Sequence, residues 1–264
     1  MRTPKSILVT ALVAVTGLTP PVPAQQASIS ASPKSVIEPV YNGYQFPTQA
    51  LHYAAEWRLW KAGSAMIKIQ SGPGELHHIT ATAESSGAVA VLYRVQDRLE
   101  SYFDRRTNCS DRVIKHSEEG FHMRETTLKF EPTRGKSVLD ERNLRNGETK
   151  HLETDSPTCV TDVLSGMFYL ASQRLEPGAV HLFPLNDGGK TVDVTAYVEG
   201  REDVKTDAGA FHTVRVAIYS GTGALKGRGK VWIWYTDDAA HLPVQMRSRL
   251  FWGTMTLRLA RIEK

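Results

Sequence analysis

The sequence has little cysteine: two residues, Cys109 and Cys159, in a chain of 264. Neither sits in a Cys-x-x-Cys pair or at ligand spacing from a histidine, which argues against zinc-ribbon and thioredoxin-like chemistry. Long apolar runs are also missing. The most apolar stretch, residues 7–18, is about twelve residues, whereas a hydrocarbon core needs about twenty. Charge of one sign is scarce as well. The formal net charge is +4, and basic residues alternate with acidic ones along the chain, so there is no concentrated basic face for nucleic acid.

Motifs that carry chemistry are equally sparse. Ser165-Gly166 lies inside a helical pattern and lacks the Gly-x-Ser-x-Gly turn that exposes a hydrolase serine. His77 and His78 are neighbours in a strand pattern, so they point to opposite faces and do not chelate one ion. His116 and His122 are drawn toward each other by the hairpin around Glu118-Glu119-Gly120, as a surface pair rather than a metal site. Asp237-Asp238 reads as a turn pair favoured for backbone reasons. Gly221-Thr-Gly223 and Gly227-Arg-Gly229 do not join a strand to a helix as a phosphate loop does. No enzyme, metal or cofactor is expected on these grounds.

What is present begins with export. Arg2 and Lys5, the apolar run and the segment Val22-Pro23-Ala24 form the three parts of a signal peptide, with cleavage expected after Ala24. Cleavage removes two basic residues and no acidic one, and lowers the charge from +4 to +2. No cysteine lies near the cut, so acylation there is excluded. In an oxidising compartment Cys109 and Cys159 permit one disulfide, two buried thiols being the alternative. Residues 25–46, rich in Ser, Pro, Ala and Gln, read as a flexible leader.

Residues 47–264 read as one β-rich domain. Leu51, Tyr53, Ala55, Trp57 and Leu59 recur at period two, the mark of a half-buried strand, and Ala62-Gly63 breaks the pattern. Further strands follow, with a hairpin signal at Asn146-Gly147 and a separate strand before and after Gly200-Arg-Glu202. One segment differs. From Thr161, a capping residue, through Asp162 to Arg174, apolar residues fall at helical spacing, and Pro177-Gly178 marks the stop. The fold class is therefore mainly β: a curved antiparallel sheet, open barrel or sandwich, with one prominent helix near 161–174 covering one face or end of it.

Blocks along residues 51–264 resemble a family of exported bacterial proteins known only as a domain of unknown function. They are Tyr53-Ala-Ala-Glu-Trp57 with Ala62-Gly-Ser-Ala65, Val95-Gln-Asp97 through Ser101-Tyr-Phe-Asp104, and the helix Asp162 to Leu170 with its Leu175-Glu-Pro-Gly178 exit. Gly200-Arg-Glu202 with Gly209-Ala-Phe211, Trp232-Ile-Trp234 through Asp238, Leu242-Pro-Val244 and Gly253 complete them. The resemblance implies periplasmic residence and brings no reaction. The final hairpin is also similar, to a lesser degree, to that of periplasmic lipoprotein carriers, which implies a concave apolar sheet able to hold an acyl chain.

Three functions compete. The first is a non-catalytic envelope protein that binds a lipid or acyl chain in the curved sheet, with Trp57, Trp232 and Trp234 as wall and Met167 and Phe168 as lid or plug; it requires an internal cavity. The second is a filled β scaffold that presents its surface to an envelope partner, with a dry interior and an exposed apolar patch or edge. The third is a hydrolase-like enzyme assembled from distant segments.

Overall fold

A computed structural model describes residues 35–38, 40, 44–58, 60–186, 188, 190–219, 230–250 and 253–263. The expected signal peptide, 1–24, and leader residues 25–34 lie outside these. The first half of the chain builds β1 (Ala50–Trp57), β2 (Trp60–Ser71), β3 (Leu76–Ser85), α1 (Gly87–Leu92), β4 (Val95–Asp104), β5 (Ser110–Glu119), β6 (His122–Glu131), β7 (Lys136–Asn143) and β8 (Thr149–Asp155). After α2 (Val163–Ala171) come β9 (Val180–Asn186), β10 (Thr191–Thr206), β11 (Gly209–Tyr219), β12 (Val231–Thr236), β13 (Pro243–Leu250) and β14 (Gly253–Glu263).

All fourteen strands lie in one curved antiparallel sheet that does not close, ordered β8-β7-β6-β5-β4-β3-β2-β1-β14-β13-β12-β11-β10-β9. Two meanders thus meet where β1 pairs with β14 (Tyr53 opposite Leu259, Ala55 opposite Leu257), leaving β8 and β9 as edges. The edge problem that such a sheet carries is partly met by the chain between β8 and α2. Ser110 donates its N–H to Val160 O, and Thr161 pairs in parallel with Leu185 of β9, so this short segment links β5 to the far edge.

The register fixes which face is interior. Ser101 of β4 and Tyr235 of β12 both bond α2, and the residues in register with them, Ile79, Ile69, Ile67 and Leu51 on one side and Val214, Val216 and Ile233 on the other, share its core. A smaller core of Leu128, Phe130, Leu139 and Val160 lies under the β5–β8 wing.

Local departures from the sequence reading have simple causes. Hydrogen bonding of β2 runs on through Gly63, where β3 approaches so closely that an added Cβ would lie 2.0 Å from Glu84 O. The expected break in period is there as a bulge: Ala55 pairs with Gly63 and Glu56 with Lys61, so Ala62 is the extra residue on β2, and Ala62 and Gly63 are both buried. The two strands expected around Gly200-Arg-Glu202 are one sixteen-residue strand, β10, bent by a bulge between Val198 and Gly200. Asn146-Gly147 forms the β7–β8 turn, with Gly147 at φ 76°. His116 and His122 are not paired: His116 faces Glu125 and His122 faces Glu119, positions that point to opposite sides of the sheet.

Candidate functional site

α2 is the structural centre. Thr161 was expected to cap it, but Thr161 is engaged with β9, donating Oγ1–H to Pro184 O, and the cap is Asp162. One oxygen of its carboxylate accepts the N–H groups of Leu164 (2.8 Å) and Ser165 (3.1 Å); the other accepts the hydroxyls of Ser101 (2.6 Å) and Ser110 (2.7 Å). Ser165 Oγ accepts in return from Asp162 N–H, completing a capping box. Every helical residue except Val163 is buried. The helix therefore fills the concavity rather than covering one face or end of the sheet. Its far end is held as firmly: Tyr235 donates to Met167 O (2.8 Å), and His241 Nδ1 lies 2.6 Å from Ala171 O.

The segment read as a flexible leader supplies further cover where it is described. Val36 N–H bonds Leu182 O of β9, Glu38 N–H bonds the Tyr169 hydroxyl, and Gln45 N–H bonds Ala239 O in the β12–β13 turn. Phe46 stacks on His77 at 3.6 Å between ring centroids and meets Phe103 and Phe168. His77 thus points inward, whereas His78 points outward to Glu100 and stacks on Tyr102.

The five residues expected around an interior pocket do not come together. Met167 and Phe168 are buried in the core with α2. Trp232 and Trp234 alternate with the inward Ile233 and Tyr235, and so lie on the opposite, outer face. There Trp234 donates Nε1–H to Glu202 (2.6 Å) under Arg247, and Trp232 lies beneath Lys230. Both faces of β12 are apolar, so alternation alone does not distinguish inside from outside. Trp57 ends β1 at the rim, with Arg58 over its ring. Cys109 and Cys159 are joined in a disulfide, which staples the β4–β5 turn to the chain just ahead of α2.

A second feature was not anticipated. Lys115, Ser117, Glu119, His122, Arg124, Thr126, Leu139, Glu141 and Gly188 line an open groove of about 280 Å³ on the inner face of the wing. Asp97 sits beside it, accepting hydrogen bonds from Ser117 Oγ (2.7 Å) and Glu118 N–H (3.1 Å), with Lys115 at 3.9 Å. Burial, reinforced by Glu119, pushes the Asp97 carboxyl above its usual range. Burial pushes Glu119 up as well, but Asp97 and Lys115 hold it below. The groove's hydroxyls go to carboxylates, Ser117 to Asp97 and Thr126 to Glu141. Glu119 was expected in the Glu118-Glu119-Gly120 turn, but β5 extends through Glu119 and places it on the same face as Lys115 and Ser117. Asp238, the expected turn residue, caps the N–H groups of Ala240 and His241. Among the described residues no group of three or more His, Cys, Asp or Glu side chains is arranged to hold a metal ion.

The profile of a protein family of unknown function, DUF3108, matches residues 52–260. The chain belongs to the DUF3108 family. Its fold is similar to that of a β-barrel-like protein of another domain of unknown function, DUF1849, from Brucella abortus. That likeness has a TM-score of 0.59 at 12% identity and covers 83% of this chain and 98% of that one. A protein from Bacteroides fragilis assigned as exported, with a YmcC-like fold, matches at TM-score 0.35 and 10% identity over 86% and 100% of the two chains. No curated protein matches significantly. The Brucella likeness carries the fold of this DUF3108 chain and no activity. Its disulfide fits export to an oxidising compartment. Among its described residues no helix is long and apolar enough to cross a membrane, which leaves strands out of account.

Proposed function

We propose that this chain is an exported, non-catalytic protein of the bacterial cell envelope, periplasmic in residence, which works as a scaffold and engages its partners through its outer surfaces. The observation that carries the reading is the burial of α2. The apolar concavity that a carrier would offer to an acyl chain is occupied by the chain's own helix, with Phe46 packed against its Phe168 and against Phe103 of β4. Withdrawing the helix would break the cap at Asp162 and the bonds from Tyr235 and His241 while exposing a continuous core. Each buried polar group left unpaired costs about 1–3 kcal/mol, and a fully exposed large apolar side chain a further 1.5–3 or so. An acyl chain returns only about 0.8 kcal/mol per methylene.

The carrier reading keeps one point in its favour: the wall around α2 is apolar from β1 to β4 and from β9 to β14. Native mass spectrometry of the protein purified from a periplasm without detergent, followed by organic extraction, separates the two. The scaffold reading expects the bare protein mass and no uptake of added phospholipid into the interior. A reproducible extra mass that extracts as lipid, and that disappears when Phe168 or Met167 is replaced in a still-folded variant, would restore the carrier.

A further inference from the structure

Because consecutive strands pair antiparallel, their connections alternate between two ends of the sheet. The β1–β2 turn, α1, the β5–β6 turn and the β7–β8 turn all fall at the same end. This end concentrates exposed apolar side chains: Trp60 (75% exposed), Val91 (87%), Leu92 (82%) and Phe121 (82%). Among the described residues these are the four most exposed large hydrophobics, and every one of them is here. They are held on connected structure. Ser86 N–H bonds Ala62 O, which ties α1 to β2, and Gly120 N–H bonds Arg94 O, which ties the β5–β6 turn to the exit of α1. Gly120, at φ 58°, lies so close beneath the Tyr93 ring that an added Cβ would meet it at 2.8 Å.

The charge at this end has one predominant sign. Segments 58–61, 86–94, 120–122 and 144–148 carry Arg58, Lys61, Arg94 and Arg145, and a single acidic residue, Glu148. Glu118 and Glu119 lie just inside the rim, where Glu118 is 4.0 Å from Arg94 and Glu119 faces Lys115. Arg145 bonds Phe121 O at 3.0 Å and sits 5.6 Å from that ring's centre, so one cation stands directly at an exposed aromatic. Apolar tips that protrude singly, ringed by guanidinium and ammonium groups, suit an interface where rings enter the acyl boundary and cations meet lipid phosphates.

We propose that this end of the sheet docks on an anionic phospholipid surface. The inference extends the scaffold reading above by naming its partner, and it is tested apart from that reading. The protein is sedimented with vesicles of phosphatidylglycerol and phosphatidylcholine in equal parts, and with phosphatidylcholine alone. The expected result is binding to the anionic vesicles. It should fall roughly a hundredfold in a Trp60→Ser, Leu92→Ser, Phe121→Ser variant and roughly tenfold in a Lys61→Gln, Arg145→Gln variant. Circular dichroism and an unchanged thermal midpoint establish that both variants fold, as substitutions at exposed positions should allow.

Failure of the wild-type chain to sediment, equal binding to neutral vesicles, or undiminished binding by the serine variant overturns the proposal. So does a photo-crosslinker at position 121 that captures protein rather than lipid in the envelope. A clean apo mass with no vesicle binding sinks the docking alone, whereas lipid found inside the protein sinks the filled scaffold alone.

Discussion

His77 shows how one buried ring governs stability. It lies between Phe46, Phe103 and the charged pair Asp104 and Arg105, and burial, with Arg105 adding to it, pushes its imidazole down to about 4. An unfolded chain takes up that proton near pH 6.5. A depressed histidine therefore contributes fully above about 6.5, loses its contribution as pH falls toward about 4, and is level below that. The ring is only partly buried, so the loss is no more than about 2 kcal/mol. Carboxylates held below their usual range, such as Glu100 and Glu199, lose their contribution only further down. Between pH 6.5 and about 5, urea midpoints should fall for the wild type and stay flatter for His77→Phe, which keeps the stack. Equal slopes for the two proteins would remove His77 from this role.

At the scale of elements, α2 depends on Asp162 more than on its own length. Nine residues are marginal as an isolated helix, and the side chain that starts this one binds two helix amides and two sheet hydroxyls. Asp162→Ala removes the cap and leaves the Ser101 hydroxyl without its partner in the core, while Ser110 keeps Ser165 and the backbone N–H of residue 162, a cost of about 2–3 kcal/mol. Chemical denaturation of the variant measures it; a loss below about 1 kcal/mol would mean that the helix is held by packing alone.

The helix was legible in the spacing of Leu164, Met167, Phe168 and Ala171, because apolar positions three and four apart define one face. Its burial on all sides was not legible. Ser165, Ser172 and Gln173 look like a solvent face, and only the tertiary partners Ser110 and Asn108, together with local bonds, satisfy the two serines inside the protein. β10 failed to read as one strand for a related reason: Gly200-Arg-Glu202 resembles a turn, and a bulge absorbs it. Trp232 and Trp234 were found as alternating aromatics but given the wrong face, since that choice rests on Tyr235 reaching α2. The leader gave no period because Val36, Glu38 and Gln45 each bond a different element.

For the whole molecule, the open sheet, the helix within it and the disulfide form one unit. The bridge closes fifty residues of separation and is worth about 4 kcal/mol by the chain-entropy argument. It spans the wing, β5 to β8, whose own core is small, and ties that wing's two ends to the start of α2. The antiparallel meander was foreseeable from alternation and turn residues. The meeting of its first and last strands was not, because pairing over two hundred residues apart leaves no local mark.

α2 is a permanent part of the core rather than a movable plug. Native-state hydrogen exchange of its amides, Leu164 to Ala171, with and without added phospholipid, tests it most directly. These amides should exchange only with global unfolding, at the same free energy as the strands around them, and lipid should leave them unchanged. Amides that open well below the global free energy, or that lose protection when lipid is added, would contradict it and make the helix a plug that moves.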